Sequence, residues 1–301
     1  MDYQRLVNTS PRRQHESANT TVRTGVSAST LAHYGGWVTN DAPWQGGSLG
    51  DQAHAILAPN PGPMTLDGTN TWVLHAPGDD VAVVVDPGPL DEGHLQAVLA
   101  KVADLGARVT LTLITHWHHD HTEALPRWVE LTDSPVRGGG YGDGLRDGER
   151  IAVGSLDIRV VQTPGHTADS VSFHLPEAGV LITGDTVLGR GTTVVAHPDG
   201  ALAPYLASLD RLHEIAAAAP TRLAPAHGPT HDDAAPVIAF YREHRRERLD
   251  QVRAALAAGD ADAPDVAQAV VERVYAEVPR DVWPAAKASV QAQLDYLAGT
   301  D

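Results

Sequence analysis

The spacing of apolar and polar positions divides the chain into three stretches. Residues 1–50 are rich in Ser, Thr, Asn, Arg and Gly, with no sustained periodicity, the pattern of a disordered or loosely attached extension. Order is expected to begin near residue 53, where short apolar runs alternate with turn-rich segments. NPGPMTLDGTNTWVL (60–74) leads into a strand, and VAVVVD (81–86) reads as a buried strand closing on Asp86 before a Pro-Gly-Pro turn. DEGHLQAVLAKVADLG (91–106) has helical apolar spacing and a terminal Gly. RVTLTLI (108–114) is the next strand, followed by a short helix around 122–131. Short strands are expected at 135–137, 150–153 and 157–162, then in VSFHL (171–175) and GVLIT (179–183). A helix over 201–219 precedes a short strand in TRLAP (221–225), and from about 231 the pattern is helical throughout.

Composition narrows the chemistry. The 301 residues include no Cys, which excludes disulfides and restricts any metal site to N and O ligands. No run approaches the ~20 apolar residues of a membrane span, and no secretory signal is visible, so a cytoplasmic protein without a membrane partner is expected. The first residues hold Asp2 and Glu16 and no clear amphipathic helix, which does not fit a transit peptide. A formal net charge of -16 opposes diffuse binding to a phosphate backbone without excluding a local basic track. Sixteen histidines is a high count, and several lie in loop-like surroundings.

The densest group is THWHHDH (115–121), directly after an apolar strand. Imidazole and carboxylate are the ligands zinc takes where no thiol is offered. Three more loops that follow strands add His166 in TPGHT, Asp185 in TGDT and His227 in PAHGP. Loops on the same side of their strands can meet at one sheet edge. Alternate residues His116 and His118 can face one way in an extended loop and join His166 as one three-ligand site. Asp120, His121 and His227 form a second, and Asp185 can bridge the two. Two metals roughly 3.5–4 Å apart would share a water and convert it to hydroxide near neutral pH. His119 is expected to face away and bond to backbone. His94 and His174, with His197, His213, His231 and His244, read as structural or exposed. Thr115 and Thr167 fit either support of the ligands or plain loop stabilisation.

These motifs, in this order over about residues 53–230 and with Asp86 ahead of them, resemble the metallo-beta-lactamase superfamily. The resemblance implies an α+β fold: a four-layer αββα sandwich with metals at one edge between the sheets. Asp185, absent at this position from the antibiotic-hydrolysing members, points away from antibiotic resistance. NPGPMTLDGTNTWVL, GDTVLGRGTTVV, AHGP and YREHRRER are similar to the beta-lactamase-like protein 2 group of the glyoxalase II-like branch. That group implies a small winged-helix-like module, here 233–301, behind a metallo-beta-lactamase domain at 51–232. Residues 266–279 and 283–297 would supply two of its helices, while the chain stops at Asp301, where a basic wing hairpin would be expected.

The implied activity is that of a di-zinc hydrolase, with iron or manganese accepted by the same ligand set. Its hydroxide would attack the carbonyl of a small acyl thioester or ester, as in hydroxyacylglutathione hydrolases and acyl-carrier thioesterases. Asp120 would orient that hydroxide as well as ligate. The alternative is cleavage of single-stranded RNA; a lesser one is a nucleic-acid-binding module with a vestigial metal site. Arg190, just after the bridging Asp, is either a contact for an anionic substrate or an exposed Arg. Arg242, Arg245, Arg246 and Arg248 are expected to form a solvated helix face, paired in part with Glu243 and Glu247.

Overall fold

The computed structural model describes residues 43–300. Of the extension expected at residues 1–50, residues 1–42 lie outside the described residues. The remainder is docked. Strand β1 (Gly47–Ser48) pairs antiparallel with β2 (Ala53–Leu57), Leu49 is buried, and Trp44 Nε1 donates to Asn70 Oδ1.

Two sheets form the centre. The first runs in the order β1-β2-β3-β4-β5-β6, with β3 Asn70–Leu74, β4 Val81–Val85, β5 Arg108–Leu113 and β6 Val136–Arg137. The second runs β11-β10-β9-β8-β7, with β7 Arg150–Val153, β8 Leu156–Gln162, β9 Val171–Leu175, β10 Val180–Gly184 and β11 Arg222–Pro225. The unbroken apolar run of β4 is explained by its position. Val83 and Val85 face the second sheet, while Ala82 and Val84 face helices. In β3 the same alternation sends Trp72 and Leu74 between the sheets and Val73 to the helix side. On β10, Val180 and Ile182 face the first sheet and Leu181 faces away from it.

Helices cover both outer faces. Helix α1 (Glu92–Asp104) begins at the cap Asp91, whose side chain accepts from His94 N, and buries Leu95, Val98 and Val102 on the first sheet. The short helix expected at 122–131 is two: α2 (His119–Thr122) and α3 (Leu125–Thr132), the second with Pro in its first turn. On the other face lie α4 (Leu202–Ala218) and α5 (Ala234–Ala257), which bury Tyr205, Leu209, Leu212 and Tyr241. Three apolar layers, one between the sheets and one outside each, give the αββα order.

Past β11 the described residues are helical. The end of α5, α6 (Val266–Val274) and α7 (Trp283–Ala298) close around Val252, Leu256, Val270, Val271, Val290 and Leu294. Arg273 joins this unit to the turn after α5 through two 2.6 Å contacts with Asp260. No described helix is long and apolar enough to cross a membrane.

Candidate metal centre

Every sequence-derived ligand candidate sits just past the C-terminal end of a strand, on one edge of the sandwich. His116 and His118 follow β5, His166 follows β8, Asp185 follows β10 and His227 follows β11. Asp120 and His121 lie in α2, one turn on from the extended stretch that carries His116 and His118. Two glycines let these loops approach. A Cβ on Gly184 would lie 2.8 Å from Thr115 Cβ, and one on Gly165 would lie 2.3 Å from the Cα of Tyr205. Both glycines also have positive φ.

The atoms fall into two groups. His116, His118, His166 and Asp185 form one; Asp120, His121 and His227 form the other. In the first, His118 Nδ1 lies 3.0 Å from His116 Nε2 and 3.1 Å from His166 Nε2. In the second, His227 Nε2 lies 3.1 Å from Asp120 Oδ2, and His121 Nε2 lies 3.4 Å from the same oxygen. Asp185 faces both: Oδ2 is 3.6 Å from His166 Nε2, and Oδ1 is 3.2 Å from His227 Nε2 and 3.6 Å from His121 Nε2. One carboxylate thus offers one oxygen to each group. His119 is exposed and outside both groups.

The backs of the rings settle which nitrogen points inward. His166 Nδ1 is 2.6 Å from Val194 O, and His227 Nδ1 is 3.1 Å from Gly68 O. A carbonyl only accepts, so both rings donate from Nδ1 and turn the Nε2 lone pair to the centre. His121 Nδ1 meets Asp86 Oδ2 at 2.9 Å. Thr115 Oγ1 donates to the same Asp86 oxygen at 2.7 Å and therefore accepts from His116 Nδ1 at 3.1 Å. Thr115 thus supports a ligand candidate directly, whereas Thr167 bonds within its own loop, to Asp169 and Ser170.

Asp86 is the residue whose role the motif pattern does not reveal. Its carboxylate is 1 % exposed, accepts from Thr115 N at 2.8 Å, and holds both Thr115 Oγ1 and His121. Its backbone is left-handed (φ 52°), and its carbonyl accepts from Thr71 Oγ1, which is itself 2.8 Å from His94 Nε2. The signal available was an Asp ending a buried strand just before Pro-Gly-Pro.

The donor set fits a pair of divalent cations. Ligands around a tetrahedral centre with 2.0–2.1 Å bonds to nitrogen lie about 3.3 Å apart, close to the spacings within both groups. His121 Nε2, His227 Nε2 and Asp185 Oδ1 are buried without a hydrogen-bond partner, although both nitrogens stand within 3.6 Å of that oxygen. They aim at common points instead of at each other. Electrostatics agree. Burial opposes charge on His227, yet Asp185 and Asp120 push its pKa up to about 9. Burial likewise opposes charge on Asp120 and Asp185, and the neighbouring imidazoles hold both carboxyls well below the usual range. A site that draws protons in this way draws a cation for the same reason. Burial, reinforced by His166, lowers His118 to about 4, leaving that ring neutral and free to ligate.

Two expectations about arginines change. Arg190 is tied to Asp67 at 2.6 Å while still lining the cavity beside the centre. The cluster on α5 is not one solvated face. Arg246 pairs with Glu243 and Arg242 with Asp210, but Arg245 is 2 % exposed and Arg248 is half-buried against the ring of Tyr275. The turn of α5 that carries them faces α6 and α7 as well as solvent, which a count of charges along one helix does not show.

Comparison with known proteins agrees with this geometry. The family model described as metallo-beta-lactamase superfamily matches residues 64–143 and 133–227, and that of a beta-lactamase associated winged helix domain matches 267–299. The chain is 32 % identical to a beta-lactamase-like protein 2 homolog of Caenorhabditis elegans, over 83 % of this chain and 85 % of that protein. It is 33 % identical to an atrochrysone carboxyl ACP thioesterase of Aspergillus chevalieri, over 75 % of this chain and 74 % of that one. A crystal structure of a beta-lactamase domain protein from Burkholderia ambifaria superposes with a TM-score of 0.69 at 26 % identity, covering 87 % of this chain and 92 % of that one. With the fold, the convergent ligand candidates and the matched models in agreement, the chain belongs to the metallo-beta-lactamase superfamily and is a metal-dependent hydrolase with a C-terminal winged-helix domain.

Proposed function

We propose that this protein hydrolyses a small acyl thioester or ester at a pair of zinc ions. His116, His118 and His166 would hold one ion, Asp120, His121 and His227 the other, and Asp185 both. The observation that carries this reading is the split carboxylate of Asp185, with one oxygen toward each group of imidazoles. A bound pair of zinc ions supplies Lewis acidity and lowers the pKa of a water it holds to near neutrality. The chain's own residues do the rest. Asp86 fixes the ring of His121, and Thr115 fixes that of His116. Asp120 reaches the centre from the partly exposed rim, with Thr69 Oγ1 3.5 Å from its Oδ2, and would accept a hydrogen bond from the attacking water and orient it. The likeness to an enzyme named as an acyl carrier thioesterase supports the acyl branch.

The test is metal content of the purified chain, followed by parallel turnover of an acyl thioester and a fluorescent single-stranded RNA, with Asp185→Ala alongside. About two zinc ions per chain, and thioester cleavage lost in the variant, are expected. RNA cleavage with no thioester turnover would move the substrate to nucleic acid. Less than about half a metal per chain, with no turnover of either substrate after zinc is restored, would reject the reading.

A further inference from the structure

Beside the metal centre lies a cavity of about 280 Å³, bordered by His166 and Asp185 on one side and by α5, the α6–α7 connection and α7 on the other. Leu66, Leu188, Val278, Val282 and Ala286 give it apolar walls. It has room for a compact organic group and not only for water. Away from Asp185 at the metal centre, its charged lining is cationic in a chain of net charge -16. Arg245 is 2 % exposed, donates to Thr193 O at 2.5 Å and lies over the ring of Tyr205 at 4.9 Å, while its Nε has no hydrogen-bond partner. His244, also buried, leaves Nδ1 unpartnered. Arg248 bonds to Gln251 and Val274 O and stacks on Tyr275 at 4.5 Å. None of these partners is a carboxylate. A guanidinium stays charged at any working pH, and a buried charge without a counter-ion is costly, so the pocket is built to receive one.

We infer that this cavity seats the acyl side of the substrate and that Arg245 and Arg248 bind a carboxylate carried on it, so that the substrate class is a compact anionic acyl thioester or ester, such as a half-thioester of a dicarboxylic acid. This rests on the acyl-hydrolase reading above. The same cavity suits a nucleic acid strand poorly. Strand binding uses open basic grooves with aromatic faces for the bases. Here Tyr275 is the one Phe, Tyr or Trp among the lining residues, and Arg248 already covers its ring. The carboxylate end of such an acyl group would be held by the C-terminal helices while its carbonyl faces His166 and Asp185. The winged-helix unit therefore completes the substrate site.

The test uses the full metal-loaded chain and needs no turnover. Dicarboxylates of three to six carbons are titrated by calorimetry against their monoamides, so that one carboxylate is available to the metals in both members of each pair. At least one dicarboxylate is expected to bind about tenfold or more tightly than its monoamide. Arg248→Gln, at a half-buried position, should bring that ratio to within about twofold of one, and Arg245→Gln should do the same if it folds. Equal binding of every pair, or a ratio that survives Arg248→Gln, overturns the assignment. So does tighter binding of inorganic phosphate than of every dicarboxylate. The two readings fail separately. Selective dicarboxylate binding without thioester turnover supports the pocket and rejects the acyl-hydrolase reading. Thioester turnover without selectivity does the reverse.

Discussion

Asp86→Asn is nearly isosteric and removes one charge at the hub of the centre. The carboxylate accepts three hydrogen bonds, one at Oδ1 from Thr115 N and two at Oδ2 from Thr115 Oγ1 and His121 Nδ1. An amide has only one accepting atom at its end. With the nitrogen in the Oδ1 position, it meets the N–H of Thr115. In the other orientation, it meets both the hydroxyl and the ring. The first is cheaper: one charge-assisted bond is lost, a buried donor goes unsatisfied, and two bonds fall to neutral strength. At about 1.5–3 kcal/mol for a bond to a charged group, destabilisation of about 2–4 kcal/mol is expected. His121 then keeps only a neutral partner at Nδ1 in place of a carboxylate, and such outer partners are typically worth 10–100-fold in metal affinity. Chelator competition would measure that affinity and chemical denaturation the stability. Zinc affinity within twofold of wild type would refute the assigned role of Asp86.

Further outcomes follow from other contacts. Gly165→Ala forces a Cβ to 2.3 Å from the backbone of Tyr205. It should cost more than about 2 kcal/mol by thermal denaturation; a fall of under 1 kcal/mol would show that the loop before His166 has room to shift. His94 is buried and neutral, its pKa lowered by that burial from the ordinary 6.5 to about 4. The unfolded chain takes up this proton first, so stability is fully present above about pH 6.5 and declines as pH falls toward 4. At about 1.4 kcal/mol per pH unit, the span amounts to about 3 kcal/mol. His94→Gln should flatten the acid limb of the stability curve over that window, and an unchanged limb would contradict it. Removing the metals by chelation should lower the melting temperature. Restoring zinc to 100 times its dissociation constant should return about 2.7 kcal/mol, measured by denaturant titration; an unresponsive melting temperature would argue against binding to the folded centre.

The strands were legible where one rule sufficed. VAVVV (81–85) is apolar at every position because β4 is covered on both faces, and the ligand candidates were visible because they follow apolar runs in loops. What escaped the sequence depends on partners distant along the chain. Gly47–Ser48 carries no strand signal of its own and is ordered by pairing with β2. Asp86 looked like a strand terminator because its partners, Thr115 and His121, lie 29 and 35 residues away. Arg245 sat in a run of charges typical of a solvated face, and its burial comes from partners far along the chain, Thr193 O and the ring of Tyr205. The split of the 122–131 helix turns on Ala124 and Pro126, a local break that hydrophobic period does not register.

The division of donors between the sheets has a consequence for how the molecule can be taken apart. The loop with Gly138, Gly139, Gly140, Gly142 and Gly144 separates β6 from β7, and with them the two sheets. Residues before it supply His116, His118, Asp120 and His121; residues after it supply His166, Asp185 and His227. Each group of donors straddles this seam, so neither half of the chain owns a whole site. A protein nicked in that loop would be a two-part device whose halves find each other through the cation as well as through the apolar layer between them. Its reassembly would respond to zinc concentration as a switch responds to its input.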